Sequence, residues 1–343
     1  MSSLKQVAAA AGVSEMTASR ALRNAPRVSA STRAKVLKVA KELGYRPDPT
    51  VVRLMHQLRR PKSERANIAM VWFDGRSQSA PSMKSLTAGA TARARKFGFN
   101  LSHHAVNAYP DGASLCRVLR QRGIEGIILV AMTVVDGLAD KNAMPWDQFA
   151  WTVVGLGYQG PALNRVHFDQ FRTATTILRQ VMALGYRRPG WVVETDTHTR
   201  MQGAWRGAFL ARTDDAPDAA RRFRLFSPDF KDIDLAGWIR DESIDAVILS
   251  TASAKFLSAQ IAAGTAPSVG IAVMGWQPSE KAFAGYDQRY DVLGAHAVDA
   301  LAALLYRNER GLVTSLKEIV HLGDWHPGPS LPGQVSKSPV SKQ

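Results

Sequence analysis

The chain has 343 residues, with 44 lysines and arginines against 29 acids, a net charge of +15 and a single cysteine, Cys116. One cysteine excludes an intramolecular disulfide and suits a reducing cytoplasm, no stretch approaches a membrane span, and the opening SSLKQ lacks the apolar segment of a secretion signal. The charge is concentrated: residues 1–65 hold fourteen bases and four acids, +10 of the +15, the footprint expected for a polyanion partner.

Ser3 followed three residues later by Gln6 predicts a capping box, so a helix begins near Leu4. Its inward positions are Leu4, Val7, Ala8 and Ala11, and Gly12 offers the left-handed residue that ends it. Ser14 caps a second helix that starts at Glu15 after a turn of only a few residues. Two short helices joined that tightly, with alanines at the crossing, describe a helix-turn-helix. Ser29 caps a third helix, whose Val36, Ala40 and Leu43 face one way and whose end is marked by Gly44.

On the second helix Val13, Ala18 and Leu22 pack inward, while Glu15, Met16, Ser19 and Arg20 project outward from the first turns. A DNA major groove admits one helix, and the residues near its N-terminus reach base edges. Arg20 suits O6 and N7 of guanine, Glu15 an amino group of cytosine and Met16 a thymine methyl. Ser14, Thr17, Arg23 and Arg27 complete the candidate DNA-binding set. An ordinary solvated face would present the same stripe, but would not be expected to coincide with the basic excess.

Residues 45–63 read YRPDPTVVRLMHQLRRPKS. Pro47 and Pro49 bar a helix through them, and Thr50 can cap a short helix from Val51 to about Leu58. A helix that short forms only with a partner.

Beyond it, the apolar runs NIAMVWF, GIILVAM, WTVVGLG, GWVVE, DAVILS and VGIAVMGW predict buried strands, with helical stretches between them. Alternation of this kind means a parallel sheet covered on both faces, and about 265 residues is large for one such sheet, so two α/β subdomains are expected. Catalysis and metal binding have no constellation. No HExxH, G-x-S-x-G or phosphate loop occurs, His103 and His104 are adjacent and so point apart in a strand, and DFKDID lacks the glycine and terminal glutamate of a calcium loop. No cofactor is expected. The final LPGQVSKSPVSKQ is polar and proline-broken, a loose tail.

VAAAAGVSEMTASRAL, then VSASTRAKVLKVAKELGYRPDP, then a short hinge with a leucine, resembles the LacI family of bacterial transcription regulators. The resemblance implies a small all-α helix-turn-helix head plus an α/β effector domain of two doubly wound subdomains, of the periplasmic-binding-protein-like type I. The implied division is a head at 1–46, a hinge at 47–63, a two-lobed effector-binding and dimerisation domain at 64–330 and a tail at 331–343. It also implies three crossings between lobes, near 160–165, 288–292 and 318–322. In the family, paired hinge helices wedge a leucine into the operator's minor groove, and Leu54 holds that position here, with Val51 in place of the usual alanine and Met55 following.

Arg200 and Gln288 match the family's pocket positions, and a planar five-donor group suits diols or carboxylates. Thr251 and Ala252 stand where the family usually has Asn-Asp, and GLGY replaces a customary acid near 155, which argues against a simple hexose ligand. Phe230, Trp72 and Trp276 lie where an aromatic stacks on a ligand or belongs to the core, and Asp74 joins the candidate effector set with Phe230 and Trp276. The implied protein is a homodimeric cytoplasmic regulator, a repressor of a catabolic operon that binds a palindromic double-stranded DNA operator and answers to a small sugar or sugar-derivative effector. It is not an enzyme and has no membrane partner. The competing class is an α/β enzyme with an appended DNA-binding head.

Overall fold

A computed structural model describes residues 3–22, 28–45, 66–73, 79–132, 144–213, 217–227 and 234–334. Arg23, Arg27, the 47–63 hinge with Leu54, Asp74, Phe230 and the last nine residues of the tail lie outside the described residues. The chain separates into two compact units, one built around residues 1–65 and the other around 66–302.

The first unit contains α1 (Leu4–Ala11), α2 (Glu15–Leu22) and α3 (Ala30–Glu42). The capping box forms: Gln6 N donates to Ser3 Oγ at 3.3 Å, and Ser3 N donates to Gln6 Oε1 at 2.7 Å. Gly12 takes φ 63°, and Val13 N closes back onto Ala8 O at 3.0 Å, turning the chain into α2. Thr17 N donates to Ser14 Oγ at 3.1 Å and Thr32 N to Ser29 Oγ at 3.2 Å, so both other expected caps are made. The core is small: Val7, Ala8, Ala11, Ala18, Ala21, Val36 and Ala40, with Leu4, Val13 and Leu22 at its margin. Leu43 departs from expectation. It is the C-cap of α3, where the helical stripe ends, and its side chain is exposed. Because so few apolar atoms hold this unit, its caps matter. Ser3→Ala is expected to cost roughly 1 kcal/mol, read as faster amide exchange across residues 4–11 in the full chain.

The second unit holds two six-stranded sheets. The first comprises β1 (Ala66–Trp72), β2 (Phe99–Ala105), β3 (Ile124–Val130), β4 (Ala150–Val154), β5 (Asn164–Phe168) and, from far along the chain, β11 (Glu318–His321), in the order β11-β5-β4-β3-β1-β2. The second comprises β6 (Pro189–Glu194), β7 (Phe223–Phe226), β8 (Ala246–Ser250), β9 (Gly270–Met274), β10 (Ala284–Asp287) and β12 (Asp324–His326), in the order β12-β10-β9-β8-β6-β7. All neighbours run parallel except β12, which is antiparallel to β10. The intervening helices are α4 (Pro81–Lys96), α5 (Gly112–Gln121), α6 (Gln170–Ala183), α7 (Thr195–Arg200), α8 (Ala204–Thr213), α9 (Leu235–Asp241), α10 (Thr251–Ala262) and α11 (Tyr290–Arg307). Among the described residues no helix is long and apolar enough to cross a membrane.

Two glycines set the approach of α4 and α11. A Cβ on Gly89 would run into the backbone carbonyl of Asp291, and one on Gly294 into that of Leu86. The two backbones therefore touch with no side chain between them.

The chain crosses between lobes after Phe168, after Asp287 and after His321. The first crossing lies beyond the expected 160–165, because β5 stays in the first sheet through Phe168. The three crossings are bonded to one another. Asp169 N donates to His321 O at 2.9 Å, Gly323 N donates to Tyr286 OH at 2.8 Å, and the Arg289 guanidinium reaches Asp291 at 3.1 Å and Asp324 at 3.2 Å. Arg289 does this from a left-handed backbone, φ 54°. Phe168 and Tyr290 meet edge to face, ring centroids 4.9 Å apart.

Candidate DNA-reading helix and interlobe cavity

In the head, Ala18 and Ala21 bury one side of α2 against α1 and α3, which turns Glu15, Met16 and Arg20 outward. Met16 is 59% exposed, the most exposed of the large apolar side chains among the described residues. Ser19 and Thr17 are half-buried, and Ser14 is occupied with the cap and with the Thr17 hydroxyl at 2.9 Å. The helix thus offers an acid, a thioether and a guanidinium from its first two turns, a mixed acceptor, apolar and donor set of the kind that distinguishes base edges.

In the second unit, a cavity of about 220 Å³ lies where the C-terminal ends of the parallel strands meet. This is the crevice in which open α/β sheets place ligands. The first lobe supplies Met132, Gly155, Leu156, His167 and Phe168; the second supplies Gln170, the end of β6 from Trp191 to Glu194, Thr197 and Arg200 on α7, and Trp205. Gln288 and Tyr290 reach it from the second crossing. Arg200 and Gln288, named from sequence, are therefore brought together.

Arg200 is the last residue of α7, half-buried, and its Nη2 donates to Thr197 Oγ1 at 3.3 Å. Burial pushes its pKa down, while Tyr290 and the carboxylates of Glu194 and Asp196 pull it back. Burial pushes the Tyr290 hydroxyl up, which keeps it protonated and able to donate. Gln170 opens α6 and is buried. Its Oε1 accepts from Trp205 Nε1 at 2.8 Å, which fixes the amide. Trp191 stacks on Trp205 with centroids 5.9 Å apart, and its own Nε1 has no acceptor among the described residues.

The missing acids have local explanations. Thr251 and Ala252 open α10 behind the Ser250 cap, so that corner of the cavity receives a hydroxyl. Gly155 sits at φ 92°, and a Cβ there would stand 2.6 Å from Ala131 O, so no side chain fits.

Trp276 is corrected. It does not line the cavity. It is buried in the core of the second lobe, its Nε1 donates to Phe283 O at 3.0 Å, and its ring lies flat on His326 at 3.8 Å. Trp72 is likewise fully buried in the first lobe and not among the lining residues. His167, Phe168, Gln170, Trp191, Trp205 and Tyr290 were not singled out from sequence. Their shared signal is position, since most sit at or just beyond a strand's C-terminal end.

A helix-turn-helix head and a separate two-lobed unit with a polar and aromatic interlobe cavity define a class: DNA-binding proteins that carry a periplasmic-binding-protein-like domain. Comparison with known proteins agrees. Residues 3–48 match the family model described as bacterial regulatory proteins, lacI family, and residues 74–237 match periplasmic binding proteins and sugar binding domain of LacI family, together more than half of the chain. The chain is 28% identical over 298 residues to the sucrose operon repressor of Escherichia coli, covering 80% of this chain and 84% of that one. In fold it is similar to the transcriptional regulator CelR in complex with cellobiose (TM-score 0.55, 19% identity, 95% and 99% of the two chains). It is also similar to the lac repressor dimer bound to operator and the anti-inducer ONPF (TM-score 0.54, 20% identity, 94% and 98%). The chain belongs to the LacI family of bacterial transcription regulators. That family consists of regulators, so the alternative of an enzyme with an appended head falls.

Proposed function

We propose that this regulator is a homodimeric, cytoplasmic repressor of a catabolic operon, reading a palindromic operator with α2 and releasing or tightening on it when a small sugar-related ligand enters the interlobe cavity. The observation that carries this is the pairing of an outward, largely exposed stripe on α2 with an interlobe cavity that Arg200 and Gln288 both line. The relatives support the ligand class, one being a sucrose operon repressor and another a complex with cellobiose. In this reading the head spans 1–46, the hinge 47–63, the effector domain 64–330 and the tail 331–343. Glu15, Met16 and Arg20 read bases, with Ser14, Thr17, Ser19, Arg23 and Arg27 supporting them, and Leu54 provides the wedge in the minor groove. Ligand binding biases lobe closure, and thereby DNA affinity, by its differential affinity for the two states.

Footprinting across the promoters next to its own gene tests the proposal, with one protected palindrome as the expected result. Arg20→Ala is expected to weaken that complex by roughly 1–3 kcal/mol and to relax the preference at one base pair of each half-site. Selection of binding sites with the variant that returned an unchanged motif would remove Arg20 from the reading set, and continuous coverage of DNA would overturn the regulator of a single operon.

A further inference from the structure

We infer that the ligand of the interlobe cavity is a sugar acid, a polyol bearing one carboxylate, which rests on the proposal above that this cavity is the effector site. The first observation is a comparison among arginines. Within the described part of the second unit, Arg93, Arg165, Arg188, Arg222 and Arg289 are each half-buried or buried, and each has a carboxylate within 4 Å. Arg200, equally withdrawn from water, has none among the described residues. Its hydrogen bond to a neutral threonine is the local partner, and Glu194, on the same cavity wall, forms no ion pair with it. A partly desolvated guanidinium with no carboxylate in contact, Glu194 and Asp196 acting on it only at longer range, leaves a fork of donors suited to a planar carboxylate.

The second observation is independent of the first. Trp191 is fully buried and lines the same cavity, and its indole N–H meets no acceptor. An unmade bond at a buried donor is costly, and a ligand oxygen would satisfy it. Gln170, whose oxygen is taken by Trp205, has only its amide donors left to offer. Glu194 and Gln288 line the same cavity and can accept from hydroxyls, and with the Glu194 and Asp196 carboxylates both within electrostatic reach of Arg200 the wall favours a single negative charge over a dianionic phosphate.

The test is calorimetric titration of the full chain with D-glucuronate, D-galacturonate and D-gluconate, each beside its neutral partner (glucose, galactose, glucitol), with the methyl esters of the two uronates and with sucrose and cellobiose. At least one acid is expected to bind, with its ester or neutral partner weaker by roughly tenfold or more. Arg200→Gln is expected to erase the preference for acid over ester. Trp191→Phe, which keeps an aromatic ring but removes the indole N–H with part of the ring system, is expected to weaken the acid several-fold and its neutral partner less, a difference that a purely structural loss would not produce. Equal binding of acid and ester, or no binding by any acid, overturns the inference. Operator titrations separate the two proposals. If sucrose or cellobiose shifts operator affinity and no acid binds, the effector site stands and the sugar acid falls; an acid that binds without changing operator affinity leaves the anion site and removes its role as effector.

Discussion

Arg200→Ala is expected to leave operator affinity within about twofold of the parent while abolishing the ligand's effect on it. The substitution lies in the second unit, and none of the head's hydrogen bonds or core contacts involve it. What it removes is the cation on the cavity wall. Hydrogen bonds to a charged group are worth about 1.5–3 kcal/mol when their loss is not replaced, so ligand affinity is expected to fall roughly ten- to a hundredfold. A ligand shifts an equilibrium only by its differential affinity for the two states, and with that contact gone the bias disappears. Operator titrations with and without ligand, on parent and variant, provide the check. A variant that still responds at the parent's ligand concentration would remove Arg200 from the cavity's chemistry.

Gly294→Val is expected to destabilise the second unit by about 3 kcal/mol or more, seen as a fall of roughly 6–12 °C in its Tm. The first atom of any side chain there meets the Leu86 carbonyl and, at 2.9 Å, the amide of Ala90, and backbone in a regular helix cannot swing aside as a side chain does. The helices must separate, and separation opens the apolar seam around Leu86 and Ala90, both fully buried. Gly89→Ala tests the same seam from the α4 side, against the Asp291 carbonyl. In isolation a glycine inside a helix is unfavourable by up to about 1 kcal/mol, so alanine would stabilise either helix were it not for the neighbour. Calorimetry on either variant with no loss of Tm would show that the seam can open without cost.

The part of the fold that was legible in the sequence is physically well defined. The six apolar runs became β1, β3, β4, β6, β8 and β9, three of the four interior strands of each sheet. Central strands are covered on both faces and must be apolar throughout. The edge strands β2, β7, β11 and β12 carry exposed or polar positions, and the interior β5 and β10 are short and interrupted by polar residues or glycine, so none of the six reads as an apolar run. FNLSHHA mixes exposed His103 with buried His104, and EIVH is mostly exposed. The misplacement of the first crossing follows from the same cause, since its position depends on where β5 ends. In the cavity, sequence supplied Arg200 and Gln288 but not the indoles, because a buried tryptophan in or just after a strand looks alike whether it also borders the crevice, as Trp191 does, or lies wholly in the core, as Trp276 does. Which face it takes is decided by neighbours distant in the chain.

The lateral bonds among the three crossings also constrain how the lobes move. Asp169 to His321, Tyr286 to Gly323 and Arg289 to Asp324 couple each strand of the hinge to another, so bending one alone breaks a bond held by its neighbour. The three connections are therefore expected to flex together as one mechanical element rather than as three independent springs, so that a ligand which shifts one of them moves the other two with it.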